Sequence, residues 1–480
     1  MKVSPARRAA FEILKRVEQE AAYSSVVLAA ADEDLSSRDR GLCHELVLGV
    51  LRNRLWLDRT IENFAAREVE KLDLPVALAL RLGVYQLRFL TRIPASAAVN
   101  ESVNLVRGAR LQSASSFVNA VLRRATREPD FDPAAFVTDD VEKLSIETSH
   151  PRWLIERWTS QFGFEETAGI ARANNLPAAL AFRFTAKALR DRRRPPGRII
   201  DELRANGVEL VESKIAPGAW RIIQMKSTGR DAGDPHARMR ALQAQSGDPH
   251  ERTAALQSGD PHARMRALQF DGLIYFQDEA SQLVAHVVDV RDGDLALDVC
   301  AAPGSKSTLM AALAPRATFI AAELYEHRAR TIAEFAIQQG ATNVRVMIHD
   351  ATRELPLAAS FDCVLVDAPC SGTGTLRQNP EIRWRLNESD IAHLADKQKQ
   401  ILKNAATVLR IGGRLVYSTC SMERDENESV IKDFLERNPN FKRARLNVPA
   451  NLLNTDGTAR TWPHLDDVEG FFVTAFERRS

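Results

Sequence analysis

From Phe270 to the end of the chain, short apolar runs alternate with longer segments of helical spacing, and this alternation limits the possible folds more than any other feature. Candidate strands are Leu295–Val299, Thr318–Ala322, Val344–Ile348, Cys363–Val366 and Arg414–Ser418, with helices between them such as Ser307–Leu313, His327–Gln339 and Ile391–Leu409. A strand, a crossover helix and a second strand of one sheet run parallel, because the connection packs back with one hand. The reading is therefore α/β, a doubly wound and mostly parallel sheet covered on both faces. Such a sheet binds ligands at the carboxyl ends of its strands.

The first of those ends carries Cys300, Ala301, Ala302, Pro303, Gly304, Ser305 and Lys306. Small residues there let a ligand approach the backbone closely. The spacing fits neither a Walker A loop nor G-x-G-x-x-G, which disfavours ATP and NAD. A plain strand–helix turn is the bland alternative. The second strand ends at Glu323, where an acid can accept from both ribose hydroxyls of an adenosine ligand. The third leads to Asp350, where an acid can meet an adenine amine. Each acid alone reads as a solvated strand end; the three features in succession point to an adenosine-type cofactor.

Five cysteines stand at 43, 300, 363, 370 and 420. The odd, sparse set without C-x-x-C argues against a disulfide framework, and no His/Cys spacing suggests zinc or another metal. Cys43, in a helix, and Cys363, mid-strand, read as small buried hydrophobes. Cys370 follows the fourth strand within Asp367-Ala368-Pro369-Cys370-Ser371-Gly372-Thr373-Gly374, and Cys420 follows the fifth within Ser418-Thr419-Cys420-Ser421. Neighbouring strands lie roughly 5 Å apart, so both thiols fall beside the cofactor loop. Carbon 5 of cytosine is a poor nucleophile, and a thiolate added at carbon 6 activates it for methylation. An acid near ring N3, here Asp367, assists as charge develops. The base must leave its stack to reach such a pocket. Chemistry alone leaves the roles of Cys370 and Cys420 open.

The rest of the chain forms further domains. Residues 1–130 read as almost all helix, with Arg and Lys on the outer faces. Residues 131–232 read as a small α+β domain. Residues 233–269 repeat Gly-Asp-Pro-His three times and read as a mostly disordered insertion; tandem duplication explains the histidine spacing without a metal. Residues 270–480 are the catalytic domain. The net charge of +2 confines any nucleic-acid binding to local patches. The run Arg190, Arg192, Arg193 and Arg194 reads as a solvated turn or as a phosphate contact, and Arg383-Trp384-Arg385 as a nucleotide-stacking element or as packing. The chain shows neither an apolar run of about 18 residues nor a signal-peptide core. It is expected to be cytoplasmic, without a membrane span, and monomeric.

Together the motifs resemble the Nop/Sun family of RNA cytosine-5 methyltransferases, the bacterial Sun type above all, which modifies one cytosine of 16S ribosomal RNA. Tyr275-Phe276-Gln277-Asp278-Glu279-Ala280-Ser281 matches the opening motif of the family's catalytic domain, and Glu469-Gly470-Phe471-Phe472 its closing motif. The front domain resembles the NusB-like RNA-binding module of this subtype. The resemblance implies S-adenosylmethionine as cofactor, held by residues 300 to 306, Glu323, Asp350 and Asp367. It implies Cys420 as nucleophile, Cys370 as the residue assisting product release, and ribosomal RNA, unassembled or in an early precursor, as partner. A transfer RNA substrate and a non-catalytic assembly factor are the alternatives. Three departures stand out: Ser305 replaces a common glycine, Glu323 and Glu469 replace frequent aspartates, and the repeat insertion is no family feature.

Overall fold

The computed structural model describes residues 3–31, 35–225, 261–358 and 360–479, and the chain divides into two compact units. Among the described residues, the first unit holds the chain up to Pro177 together with Leu376–Arg385. The second holds the remainder.

The first unit is helical, with helices Pro5–Gln19, Ser24–Ala31, Ser37–Arg52, Arg54–Ala65, Leu74–Phe89, Ala95–Gly108 and Ser115–Arg127. Leu74–Phe89 is its centre: every residue from Val76 to Gln86 is buried. A helix apolar around most of its circumference belongs inside a bundle. It starts at Asp73, where Pro75 lacks the amide that a first turn leaves unbonded anyway. Basic residues do not all face outward as expected. Arg81 is buried, with Nε 2.7 Å from Asp58 and Nη1 3.4 Å from Glu18, pairs that offset part of the cost of burying its charge. Helices Asp140–Thr148, Arg152–Phe162 and Phe164–Ala173 belong to the same unit.

Leu376–Arg385 decides the reading of the Arg-Trp-Arg element. Arg383 is fully buried and donates from Nη1 to the Ser149 carbonyl at 3.1 Å and to Asn175 Oδ1 at 2.9 Å. Trp384 donates to the Leu51 carbonyl at 3.3 Å, under the Arg54 guanidinium. Arg385 donates to the carbonyls of Val17 and Ala22 at 2.9 and 2.6 Å. All three side chains bond to backbone or side-chain groups of this unit, which supports the packing reading.

The second unit contains two sheets. Strands β1 (Leu180–Phe184), β2 (Val208–Glu212), β3 (Ala219–Met225) and β4 (Ile274–Phe276) form an antiparallel sheet in the order β2-β3-β1-β4. The basic run after β1 is a turn closed by Asp191, which accepts from the amides of Arg193 and Arg194. Arg194 pairs with Glu202 at 2.7 Å, and Arg190 donates to the Gly340 carbonyl, which supports the bland reading. Pro261–Phe270 is a helix with Met265, Ala267 and Leu268 buried. The reading of 233–269 as a mostly disordered insertion thus does not extend to its last repeat, which carries enough apolar side chains at helical spacing to join a core. The two earlier repeats lie outside the described residues.

The larger sheet comprises β5 (Leu295–Asp298), β6 (Thr318–Glu323), β7 (Val344–Ile348), β8 (Phe361–Asp367), β9 (Leu409–Thr419), β10 (Phe441–Arg443), β11 (Ala459–Arg460) and β12 (Phe472–Arg478). Its order is β10-β12-β9-β8-β5-β6-β7, with β11 on β12. β5 to β9 are parallel and β12 runs antiparallel to β9. The chain reverses its direction of travel across the sheet beside β5, which opens a crevice at the carboxyl edge between the β6 and β8 sides.

Candidate active site

Three strand ends shape one half of the crevice. The loop after β5 is tied to both neighbours: the Val299 amide donates to the Leu365 carbonyl at 3.0 Å and the Ala301 amide to the Ala322 carbonyl at 2.9 Å. Gly304 caps the following helix, Ser305–Leu313, with φ +102. A Cβ there would be strained and would stand 3.2 Å from Ile332 Cγ2, so glycine is required. Glu323, buried at the end of β6, accepts from the Tyr325 amide at 3.1 Å and lies 3.5 Å from Arg328. Asp350, just past β7, accepts from the hydroxyl and amide of Thr352 at 2.7 and 3.0 Å, and those bonds hold its pKa below the usual range. Residues 300 to 306, Glu323 and Asp350 thus border one crevice, a tight glycine turn facing two acids, which suits an adenosine-bearing cofactor. Burial, and then the neighbouring Asp298, push the Cys300 pKa up.

Asp298, at the end of β5, carries no mark in the sequence. Its carboxyl accepts from Ser307 Oγ at 2.6 Å, and burial pushes its pKa up to about 7.

The second half lies past β8 and β9, where the register pairs Asp367 with Ser418. Ser418 donates to Asp367 Oδ1 at 2.6 Å, and Lys306 Nζ stands 2.6 Å from Asp367 Oδ2. Lys306, expected as a cofactor-loop contact, therefore also bridges the two halves through Asp367. Burial opposes its charge, but Asp367 and then Cys420 hold its pKa above the ordinary value. Its ammonium also lies 5.1 Å from the Phe471 ring of the closing motif. Cys370 Sγ and Cys420 Sγ are 3.3 Å apart, and both are free thiols. The bond to Cys420 and then burial raise the Cys370 pKa well above an ordinary thiol.

Behind the thiols sits Glu426, another residue that the sequence does not mark. It accepts from the Ser371 amide at 2.9 Å, from Ser371 Oγ, from Ser421 Oγ at 2.5 Å and from Gln398 Nε2 at 2.8 Å. Tyr417 donates to its backbone carbonyl at 2.5 Å. The only sequence signal is an acid a few residues past a cysteine, which surface loops share. Gly374 accounts for its motif: its amide donates to the Cys420 carbonyl at 2.9 Å, and its own carbonyl accepts from the Gly470 amide at 2.8 Å. A Cβ on Gly374 would stand 2.0 Å from the Gly470 carbonyl oxygen. The opening motif joins the same assembly through Asp278, whose carboxylate accepts from the Glu469 amide at 3.2 Å.

Over its whole length the chain is 33% identical to a probable ribosomal RNA small subunit methyltransferase B of Bacillus subtilis, itself covered completely. The chain belongs to the RsmB/F family of 16S rRNA methyltransferases. The RsmB/F methyltransferase family model matches residues 285–477, a NusB family model residues 4–127, and an RsmF/B-like ferredoxin-like domain model residues 150–228. The ribosomal RNA small subunit methyltransferase B of Escherichia coli O1:K1 is 28% identical, with 97% of each chain covered. Among solved structures, PH0851 superposes with a TM-score of 0.79 at 24% identity, covering 100% of both chains. NSun6 from Pyrococcus horikoshii, solved with SFG, superposes with a TM-score of 0.55 at 21% identity over 69% of this chain and 98% of that one. This RsmB/F member thus has a NusB-like front domain, a ferredoxin-like middle domain and an S-adenosylmethionine-dependent methyltransferase domain. No helix among the described residues is long and apolar enough to cross a membrane.

Proposed function

We propose that this RsmB/F member methylates carbon 5 of one cytosine in 16S ribosomal RNA, with Cys420 as covalent nucleophile and Cys370 as the residue that assists release. The observation that carries the reading is the pair of thiols 3.3 Å apart, at the ends of two adjacent strands and beside the Lys306–Asp367 ion pair. S-adenosylmethionine, held by residues 300 to 306, Glu323 and Asp350, supplies an electrophilic methyl group.

Cys420 adds as thiolate to carbon 6 of the cytosine, and the carbon 5–carbon 6 π electrons become the nucleophile at carbon 5. Lys306 places a positive charge beside that sulfur. Asp367 is fixed by Lys306 and Ser418 and meets the ring edge, where it hydrogen-bonds the base as charge develops. After methylation, carbon 5 loses its proton to a base, the double bond re-forms and the bond from carbon 6 to sulfur breaks. Cys370 Sγ, 3.3 Å from Cys420 Sγ, stands within hydrogen-bond reach of the departing thiolate.

The NusB-like front domain favours ribosomal over transfer RNA. The test is transfer of labelled methyl from S-adenosylmethionine to 16S ribosomal RNA, naked and in precursor particles, with the product mapped by bisulfite sequencing. Label in a single 5-methylcytosine is expected. Label only in transfer RNA would change the substrate, and no label in any cytosine would overturn the reading.

A further inference from the structure

Between Glu101 and Glu128 the chain carries five arginines and no acid. Composition does not explain this, since the whole sequence balances 65 basic against 63 acidic residues. The stretch covers the second half of Ala95–Gly108, the turn after it and all of Ser115–Arg127. These two helices pack against each other, and both pack against the central helix Leu74–Phe89. A Cβ on Gly83 of the central helix would touch both Leu122 and Ser102, so the three helices meet at one point. The exposed faces of the outer two therefore both point away from Leu74–Phe89.

Arg107, Arg110, Arg123 and Arg127 are exposed and form no ion pair with any described residue. Arg124 differs: it reaches Glu128 at 3.6 Å and lies over the Phe64 ring. Along Ser115–Arg127, the residues Ser116, Asn119, Arg123 and Arg127 follow one another at three or four positions and so share a face. Val118, Val121, Leu122 and Ala125 are buried on the other. Arg123 Nε donates to Asn119 Oδ1 at 3.1 Å, which lays the guanidinium along the stripe. Gln112 and Ser113 add exposed neutral donors at the turn.

The chemistry of this face selects its occupant. Every cation on it is an arginine, whose planar fork matches a phosphate in bidentate fashion. No large apolar side chain from Leu90 to Ala135 is exposed. The face thus lacks both the aromatic anchors of a protein interface and the apolar insert of a membrane-binding helix. Arginines interleaved with small neutral donors suit a nucleic-acid backbone.

We propose that the outer face of Ala95–Gly108 and Ser115–Arg127 grips the phosphate backbone of the RNA substrate, as an anchor apart from the methyl-transfer site. The proposal rests on the reading that RNA is the substrate. The arginines belong to the first unit and both thiols to the second. Phosphate contacts carry affinity without sequence, so this face holds the RNA while the thiol site chooses the cytosine.

The test compares full-length wild type with the triple variant Arg107→Gln, Arg123→Gln, Arg127→Gln. Binding to 16S ribosomal RNA is read by filter retention over a series of KCl concentrations, and labelled methyl transfer gives kcat and KM. The variant should bind about tenfold or more weakly, and its plot of log Kd against log salt should flatten by about 2. KM for the RNA should rise with kcat within about twofold, because the lost contacts serve ground and transition states alike. The same three positions changed to Lys should keep the salt slope, which a merely structural role would not require. Neutralising Arg16, Arg38 and Arg59, exposed on other helices of this unit, should change the slope by less than about 1. An equal loss in that control would show an effect of net charge and overturn the proposal, as would a Gln variant with wild-type affinity and slope. Wild type that binds and methylates 16S RNA while the Gln variant does the same sinks the anchor alone; wild type that binds no RNA sinks the substrate reading with it.

Discussion

The two halves of the crevice are built on different principles. On the β5–β7 side, Glu323 and Asp350 receive only a few bonds from nearby residues. On the β8–β9 side, Glu426 alone collects four donors, and Gly374 and Gly470 weld the Cys370 loop, the Cys420 turn and the closing motif together. A half that receives a whole ligand keeps acceptors unspent. A half that must hold two thiols in reacting geometry exhausts its polar groups on itself, because a misplaced nucleophile forfeits most of its rate advantage.

The sharpest way to break the contrast is at the sulfurs. Cys420→Ala should lower methyl transfer on the order of a thousandfold or more, and no covalent RNA adduct should form on denaturing gels. Cys370→Ala should instead accumulate an adduct through Cys420; an adduct in the Cys420 variant would reverse the two roles.

Asp298 gives a pH-dependent distinction within the cofactor half. The folded protein holds this proton up to about pH 7, whereas the unfolded chain releases it near 3.8. The native state binds more protons in that window, so Asp298 makes stability fall as pH rises through it, by at most about 1.4 kcal/mol per pH unit. Asp298→Asn should flatten this slope in urea denaturation at pH 5 and pH 8, with the larger gain over wild type at pH 8. An equal change at both pH values would show that Asp298 is ionised in the folded state.

Glu426→Gln probes the thiol half. Replacing an acceptor that serves four donors should cost roughly 1–3 kcal/mol of stability, read as a lower urea midpoint, and should also slow methylation. If stability holds and only the rate falls, Glu426 acts chemically rather than as a clamp.

The smallest effects belong to the two acids of the cofactor half. Glu323→Ala should raise the S-adenosylmethionine Kd by about tenfold, and the more exposed Asp350→Ala by about threefold, both with unchanged thermal stability. A large loss of stability in either variant would erase the contrast between the halves.

Much of the catalytic domain is legible in its residues alone. The strands β5 to β9 can be read because parallel strands buried on both faces are short apolar runs set between helices. The acids at Glu323 and Asp350 can be placed because strand ends locate them along one edge. Arg383, Trp384 and Arg385 cannot be decided that way, since basic and aromatic residues look alike whether they face a nucleic acid or carry a helix end into a core. Glu426 and Asp298 escape notice for a related reason: carboxylates are common in loops, and only burial and converging donors mark these two.

The sequence by itself determined the doubly wound sheet, the cofactor loop and the presence of two thiols at neighbouring strand ends, because local periodicity and strand-end spacing encode them. Only the tertiary structure decided that Lys306 pairs with Asp367 and that Glu426 backs the cysteines. Those partnerships join separate segments of the chain, and packing alone brings them together.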